Sequence, residues 1–248
     1  MNKNTLLRLQ ALAQRYETAS FIDGDPSWVM HQVEGVQNQE LMAFIASCLS
    51  YGNRKQFMPK IKFFIDQSSG NLVEWIASKT YQAVLPDVPA SYYRLQSHHH
   101  MRELLNALHG MLMQHGSMGA YMRTQASTAP QAIEAITTFF KNWDVGHSVP
   151  QNTQSSCKRV CMFLRWMVRD NSPVDLGFWT FIDKRTLLIP LDTHVMQEAQ
   201  KLKLIDSKTP SMSTAIKLTQ ELKKVFPDDP LKGDFALFGY AVDDTQQG

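Results

Sequence analysis

The segment ELMAFIASCLS, residues 40 to 50, is apolar on almost every side when wound as a helix. A helix without a polar face has to be enclosed by other elements. It falls well short of the roughly 20 apolar residues of a membrane span, and no other run in the chain approaches that length. The rest of the chain must therefore build a shell around it. Residues 3 to 17 place Leu6, Leu7, Leu9, Leu12, Ala13 and Tyr16 on one side of a helix. Ser97 is positioned to cap a helix through SHHHMRELLNALHGMLMQHG, with Gly116 as its stop. Pro130 suits the first turn of a helix through PQAIEAITTFFKNW. Further helices are expected over 155–169, 193–204, 213–226 and 232–241, Pro227 ending the third. Alternation of apolar and polar residues over strand length is hard to find. The fold class expected is all-α.

At 248 residues, 44% hydrophobic and 19% charged, the chain is large enough for one domain or for two lobes sharing a core. Linkers are expected at LPDVPASYY, 85 to 93, and at GHSVPQNTQSS, 146 to 156. The second precedes the most motif-rich portion, approximately 150–205. The closing TQQG is expected to fray. Cys48, Cys157 and Cys161 are too few for a disulfide framework, and a lone C-x3-C offers two ligands where structural metal sites use four. No metal or other cofactor is expected. The N-terminal MNKNTLLRLQALAQRYE has no small-residue cleavage site and is not read as a secretion signal; with so few cysteines a reducing cytoplasm is the expectation, and a monomer without membrane association is expected.

SSCKRVCMFLRWMVRD, residues 155 to 170, says most about function. At about 100° per residue, Lys158, Arg165 and Arg169 fall within about 20° of one line. Val160, Cys161, Phe163, Leu164, Met167 and Val168 occupy the opposite arc. Ser155 or Ser156 is expected to cap the helix. Such a row is often only a solvated face, but here no acid stands at i±3 or i±4 of it within the helix. Lys158 also sits in the first turn, where the macrodipole disfavours a cation. A lysine held among cations there gives up its proton more readily and becomes a better nucleophile. Residues 225 to 248 carry five Asp and one Lys, a sum of −4 that leaves +6 on the rest of a chain whose net charge is +2. That excess is compatible with a polyanionic partner.

In LLIPLDTHV, residues 187 to 195, a carboxylate ends an apolar run at the mouth of a helix. Asp192 is a good N-cap. It can also act chemically: an activated lysine beside a carboxylate suits amine attack at a sugar C1′, the carboxylate offsetting the positive charge that grows as a base departs.

The strings CKRVCMFLRWMVR, VDLGFW, IPLDTH and DFALFG, with DPSWVMHQ and LSYGNRKQ nearer the N-terminus, together resemble an uncharacterised bacterial protein family over nearly the whole chain. More distantly the layout resembles the helix-hairpin-helix DNA glycosylase superfamily, all-α proteins whose two lobes flank a DNA-binding cleft. AFIASCLSYGN is similar to that superfamily's buried helix and following loop, the helix from Ser156 to its lysine-bearing helix, and LDTHV to its aspartate-bearing helix start. The resemblance implies a DNA base-excision glycosylase, with abasic-site lyase activity as a further step. Lys158 would be the Schiff-base nucleophile and Asp192 the catalytic carboxylate. Asn53, or its neighbours Tyr51 and Gly52, would fill the gap left by a flipped base. The superfamily's Gly-x-Gly hairpin turn is replaced here by VPQNTQSSCK, and the absence of a C-terminal cysteine cluster excludes an iron–sulfur cluster.

DNA, damaged or single-stranded, is the partner this implies. Arg159, Arg165, Arg169, Arg54, Lys55 and His194 are candidate phosphate contacts, against the plainer reading of solvent-facing charge or local capping. Trp179, with Asp175 four residues before it on a possible helical turn, is a candidate for stacking on an extruded base, against a role as core anchor. Asp234 is placed to close the pocket or to cap the final helix. His98, His99 and His100 point to different sides of a helix, which argues against a shared metal. The alternative to an enzyme is a non-catalytic nucleic-acid-binding protein that keeps the same fold.

Overall fold

In this computed structural model, which describes residues 1–246, the chain is predominantly helical. Of the closing TQQG, residues 247 and 248 lie outside the described residues. In chain order the helices are α1 (Lys3–Tyr16), α2 (Val36–Leu49), α3 (Arg54–Ser68) and the short α4 (Leu72–Ala77). A ribbon of β1 (Ser91–Tyr93) and β2 (Gln96–Ser97) follows, paired antiparallel. Then come α5 (His98–His115), α6 (Met118–Gln125), α7 (Ala129–Phe140) and α8 (Lys158–Val168). The last are α9 (Thr193–Lys201), α10 (Met212–Lys223) and α11 (Lys232–Gln246). Single 3-10 turns occupy 19–22, 26–31, 80–83 and 184–186.

The expected signals place most of these ends. Ser97 caps α5 in a capping box with His100, and Gly116, at φ +79°, closes it. Asp192 caps α9. Two boundaries differ in a way that matters. Neither Ser155 nor Ser156 caps α8: Cys157 stands at that place in the left-handed region (φ +47°), and the helix starts at Lys158. VDLGFW is not a helical turn. Its backbone N–H groups at Leu176 and Gly177 donate to Trp166 O, and that of Trp179 to Met167 O at 2.7 Å. The segment thus satisfies carbonyls that the end of α8 would otherwise leave open. Gly177, at φ +66°, fits here because a Cβ would lie 2.8 Å from Asp170 Cα and 2.9 Å from Arg169 O, both backbone atoms.

The chain forms two compact units. The first contains residues 1–23, 127–133 and 153–248, the second 24–126 and 134–152; the change at 152–153 falls in the linker GHSVPQNTQSS. In the first unit α11 packs against α1 and α9. In the second, α2 is the central element, and every residue from Glu40 to Leu49 is buried. The 26–31 turn, α3, α4 and α6 contact α2, and α5 closes on α4 and α6. The buried Glu40 is satisfied by accepting the Gly119 N–H at the start of α6, 3.2 Å away.

Candidate functional site

Two helix starts of the first unit meet. The run Leu187–Leu191 is buried, and Thr219 Oγ1 on α10 accepts the Ile189 N–H at 3.1 Å. Ser156 Oγ, just before α8, donates to Leu191 O at 3.3 Å. That bond ties the residue preceding Asp192 to the turn preceding Lys158. Lys158 Nζ lies 3.1 Å from Asp192 Oδ2, the side chains 32% and 16% exposed. Asp192 Oδ1 accepts the Val195 N–H at 2.9 Å. One carboxylate therefore caps α9 with one oxygen and holds an amine with the other. Exposure at this level leaves the amine within reach of a solute.

The neighbouring thiols do not compete for a nucleophilic role. Cys157 and Cys161 are buried, and burial raises both pKa values, which keeps them protonated and unreactive. Arg159, beside Lys158, is half-buried, and His194, in the first turn of α9, is exposed. A groove of about 480 Å³ begins at Thr193, the residue after Asp192, and runs along α9 over Met196 to Asp206 and Lys208.

Behind the pair, the cation row turns out differently from expectation. Arg165 and Arg169 are 4% and 1% exposed, so neither can hold a phosphate in solvent. Arg165 Nε donates to Asp175 Oδ1 at 3.2 Å and its Nη1 to Asp234 Oδ2. Arg169 binds Asp229 at 2.7 and 2.9 Å and also reaches Asp175 and Glu17. Both guanidinium groups lie over the Phe235 ring, at 4.6 and 5.1 Å. The physical reason is desolvation: a buried cation persists only where carboxylates and hydrogen bonds replace its water. Asp175 is 10 and 6 residues from the two arginines, and the other three carboxylates come from 60, 69 and 152 residues away in sequence. Burial opposes the Arg169 charge, but Asp229, Asp175 and Glu17 overcome it and raise its pKa. Two arginines face four carboxylates, and burial, aided by Asp192 and Asp175, keeps the Asp234 pKa raised despite Arg165.

The base-pocket candidates are corrected by the same burial. Asp175 has a fully buried side chain shared between Arg165 and Arg169. Trp179 is 1% exposed, edge-on to Phe163 at 5.2 Å and beside Phe181 at 5.9 Å. It anchors the core and offers no face to a base. Asp234, in the first turn of α11, is buried and pairs with Arg165.

Asn53, Arg54 and Lys55 belong to the second unit. Asn53 caps α3, its side chain accepting the Lys55 N–H at 2.9 Å. Arg54 lies 3.9 Å from Asp25, and Lys55 is exposed. His99 Nδ1 meets Asp87 and its Nε2 lies 3.3 Å from Asp144. Among the described residues no group of three or more His, Cys, Asp or Glu could hold a metal ion, and no helix is long and apolar enough to cross a membrane.

Fold and site together define a predominantly helical protein with a half-exposed lysine–aspartate pair at two converging helix starts. The family model described as protein of unknown function (DUF2400) matches residues 25–243, and the chain belongs to that family. No curated protein and no solved structure matches it.

Proposed function

We propose that this protein is a DNA base-excision glycosylase that also cleaves at abasic sites. The single observation that carries this reading is the 3.1 Å approach of Lys158 Nζ to Asp192 Oδ2 at a site partly open to solvent. The ammonium passes a proton to the carboxylate or to water. The freed amine then forms a bond to C1′ of a deoxynucleotide as the C1′–N bond to the base breaks. The base leaves with that electron pair and takes up a proton. Asp192 offsets the charge that develops on the sugar. Ring opening gives a Schiff base on Lys158, and loss of a C2′ proton expels the 3′ phosphate. The groove that starts at Thr193, next to Asp192, offers space for a base removed from its stack. The helix-hairpin-helix resemblance of the sequence strings supports the same reading. Reduction with borohydride in the presence of DNA holding an abasic site or an oxidised guanine tests it by trapping the Schiff base.

A second reading, a nucleic-acid-binding protein without catalysis, takes the same 3.1 Å contact of Lys158 with Asp192 as an ion pair that ties the starts of α8 and α9 together. It predicts salt-sensitive binding without a product.

A further inference from the structure

The ribbon and the start of α3, in the second unit, form a surface that the lysine–aspartate site does not use. Tyr51 and Tyr93 hold it together: Tyr51 Oη donates to Tyr93 O at 3.2 Å and Tyr93 Oη to Tyr51 O at 2.6 Å. This double tie fixes the ribbon against the turn between α2 and α3. Gly52, at φ +78°, makes the approach possible, since a Cβ there would lie 2.3 Å from Arg94 Nη1 and 2.8 Å from Tyr93 Oη. At the ribbon tip Arg94 (φ +50°) and Leu95 are exposed. Leu95, at 63%, exceeds every other large apolar side chain among the described residues in exposure.

Charge around this tip is predominantly positive. Residues 51 to 62 carry Arg54, Lys55, Lys60 and Lys62 and no acid, and Arg94 adds a fifth cation. Among the described residues their ion pairing is limited to Arg54 with Asp25 at 3.9 Å. Lys60 Nζ lies 4.9 Å from the centre of the Tyr92 ring, and Tyr92 Oη donates to Lys60 O, so α3 runs beside the ribbon. From Arg54 to Lys62 the helix rises about 12 Å.

We infer that the ribbon tip and the start of α3 bind a nucleic-acid backbone, with Arg94, Arg54 and Lys55 facing phosphates and Leu95 against a sugar or base. Several cations around one tip match an anion that repeats, whereas a single small anion would leave most of them unused. An apolar side chain at a rigid, cation-flanked tip is the kind that wedges against base steps. A membrane surface would call for a broader apolar face than one leucine. The inference extends the phosphate contacts expected of Arg54 and Lys55 and shares its ligand class with the Lys158 reading, but the two fail separately: this surface is read by binding, that site by a covalent product.

The test is fluorescence anisotropy of labelled single-stranded and duplex oligonucleotides with the full chain, from about 50 to 200 mM salt. The double variant Arg94→Gln, Leu95→Ser should weaken binding by about tenfold or more. Arg94→Gln alone should lower the log–log salt slope by about 0.7 to 0.9, the share of one phosphate contact, while Arg94→Lys retains it. Lys55→Ala, on an exposed side chain, should lower the slope in the same way and keeps the test valid should a tip variant unfold. Wild-type affinity and slope in the Arg94, Leu95 and Lys55 variants would overturn the inference. So would tighter binding to anionic phospholipid vesicles or polyglutamate than to either oligonucleotide.

Discussion

Asp192 is shared between two partners, its Oδ1 taking the Val195 N–H at 2.9 Å and its Oδ2 standing 3.1 Å from the Lys158 amine. The structural and the chemical roles of the carboxylate can be separated because they use different oxygens. Asp192→Asn keeps an acceptor for the cap, and Asn is as good an N-cap as Asp. It should change unfolding free energy by less than about 1 kcal/mol, the range of a partly exposed ion pair, while removing the charge beside Lys158. Asp192→Ala loses the cap as well, at a cost of about 0.5–2 kcal/mol. Urea unfolding of both variants checks this; equal destabilisation would mean that the cap is not what the carboxylate contributes.

Arg165 and Arg169 should behave as structural residues. Removing Arg169 leaves Asp175, Asp229 and Glu17 with an uncompensated buried charge, so Arg169→Ala should destabilise by about 3–5 kcal/mol. Arg165→Met combined with Asp234→Leu should cost less than the sum of the two single changes, because the pair leaves together. Denaturant unfolding of the set decides it. Additive losses would show that Arg165 and Asp234 are not coupled.

Trp179→Ala should cost about 3–5 kcal/mol by opening a cavity against Phe163. Trp179→Phe should recover most of that and leave nucleic-acid binding at the wild-type level. A binding defect in Trp179→Phe with full stability would return this side chain to a ligand-stacking role.

His99 gives the second unit a pH-dependent contact. Its hydrogen bond with Asp87 raises the His99 pKa above 6.5 and lowers that of Asp87 below 3.8. For the histidine, the folded-state pKa is the higher, so its contribution to stability is complete below 6.5 and is lost as pH rises through the raised value. For Asp87 the contribution is complete above 3.8 and is lost as pH falls through the lowered value. Both side chains are substantially exposed, so the effect is small. Titration of the His99 imidazole by NMR should place its pKa above the ordinary histidine value, and Asp87→Asn should lower it. A midpoint at or below 6.5 in the wild type would remove the contact from the account.

Local signals carried much of this fold. The all-round apolar ELMAFIASCLS became the buried α2, and caps such as Ser97, Gly116 and Asp192 stand where residue type and spacing put them. The approach of Lys158 to Asp192 was legible because each residue sits at a helix start that the sequence marks. The fate of Arg165 and Arg169 was not. Their helix offers no acid, and of the four carboxylates that pair with them only Asp175 is near in sequence; Glu17, Asp229 and Asp234 are separated from them by 60 residues or more. The cluster of aspartates after residue 225 was the one trace of them in the sequence. VDLGFW misled for a related reason: its aromatic and acidic residues serve the end and the core side of α8, a pairing that periodicity does not encode. Strand β1 closes the Pro-bearing stretch 85–93 and β2 lies just beyond it, both too short for alternation to register.

The central claim is that the Lys158 amine becomes covalently bound to a deoxyribose carbon. Borohydride trapping on a duplex with a single abasic site, followed by denaturing electrophoresis, tests it most directly. The account predicts a protein–DNA adduct in the wild type, none in Lys158→Ala, and a strongly reduced yield in Asp192→Asn although that variant stays folded. No adduct in the wild type, or an undiminished one in Lys158→Ala, would contradict it.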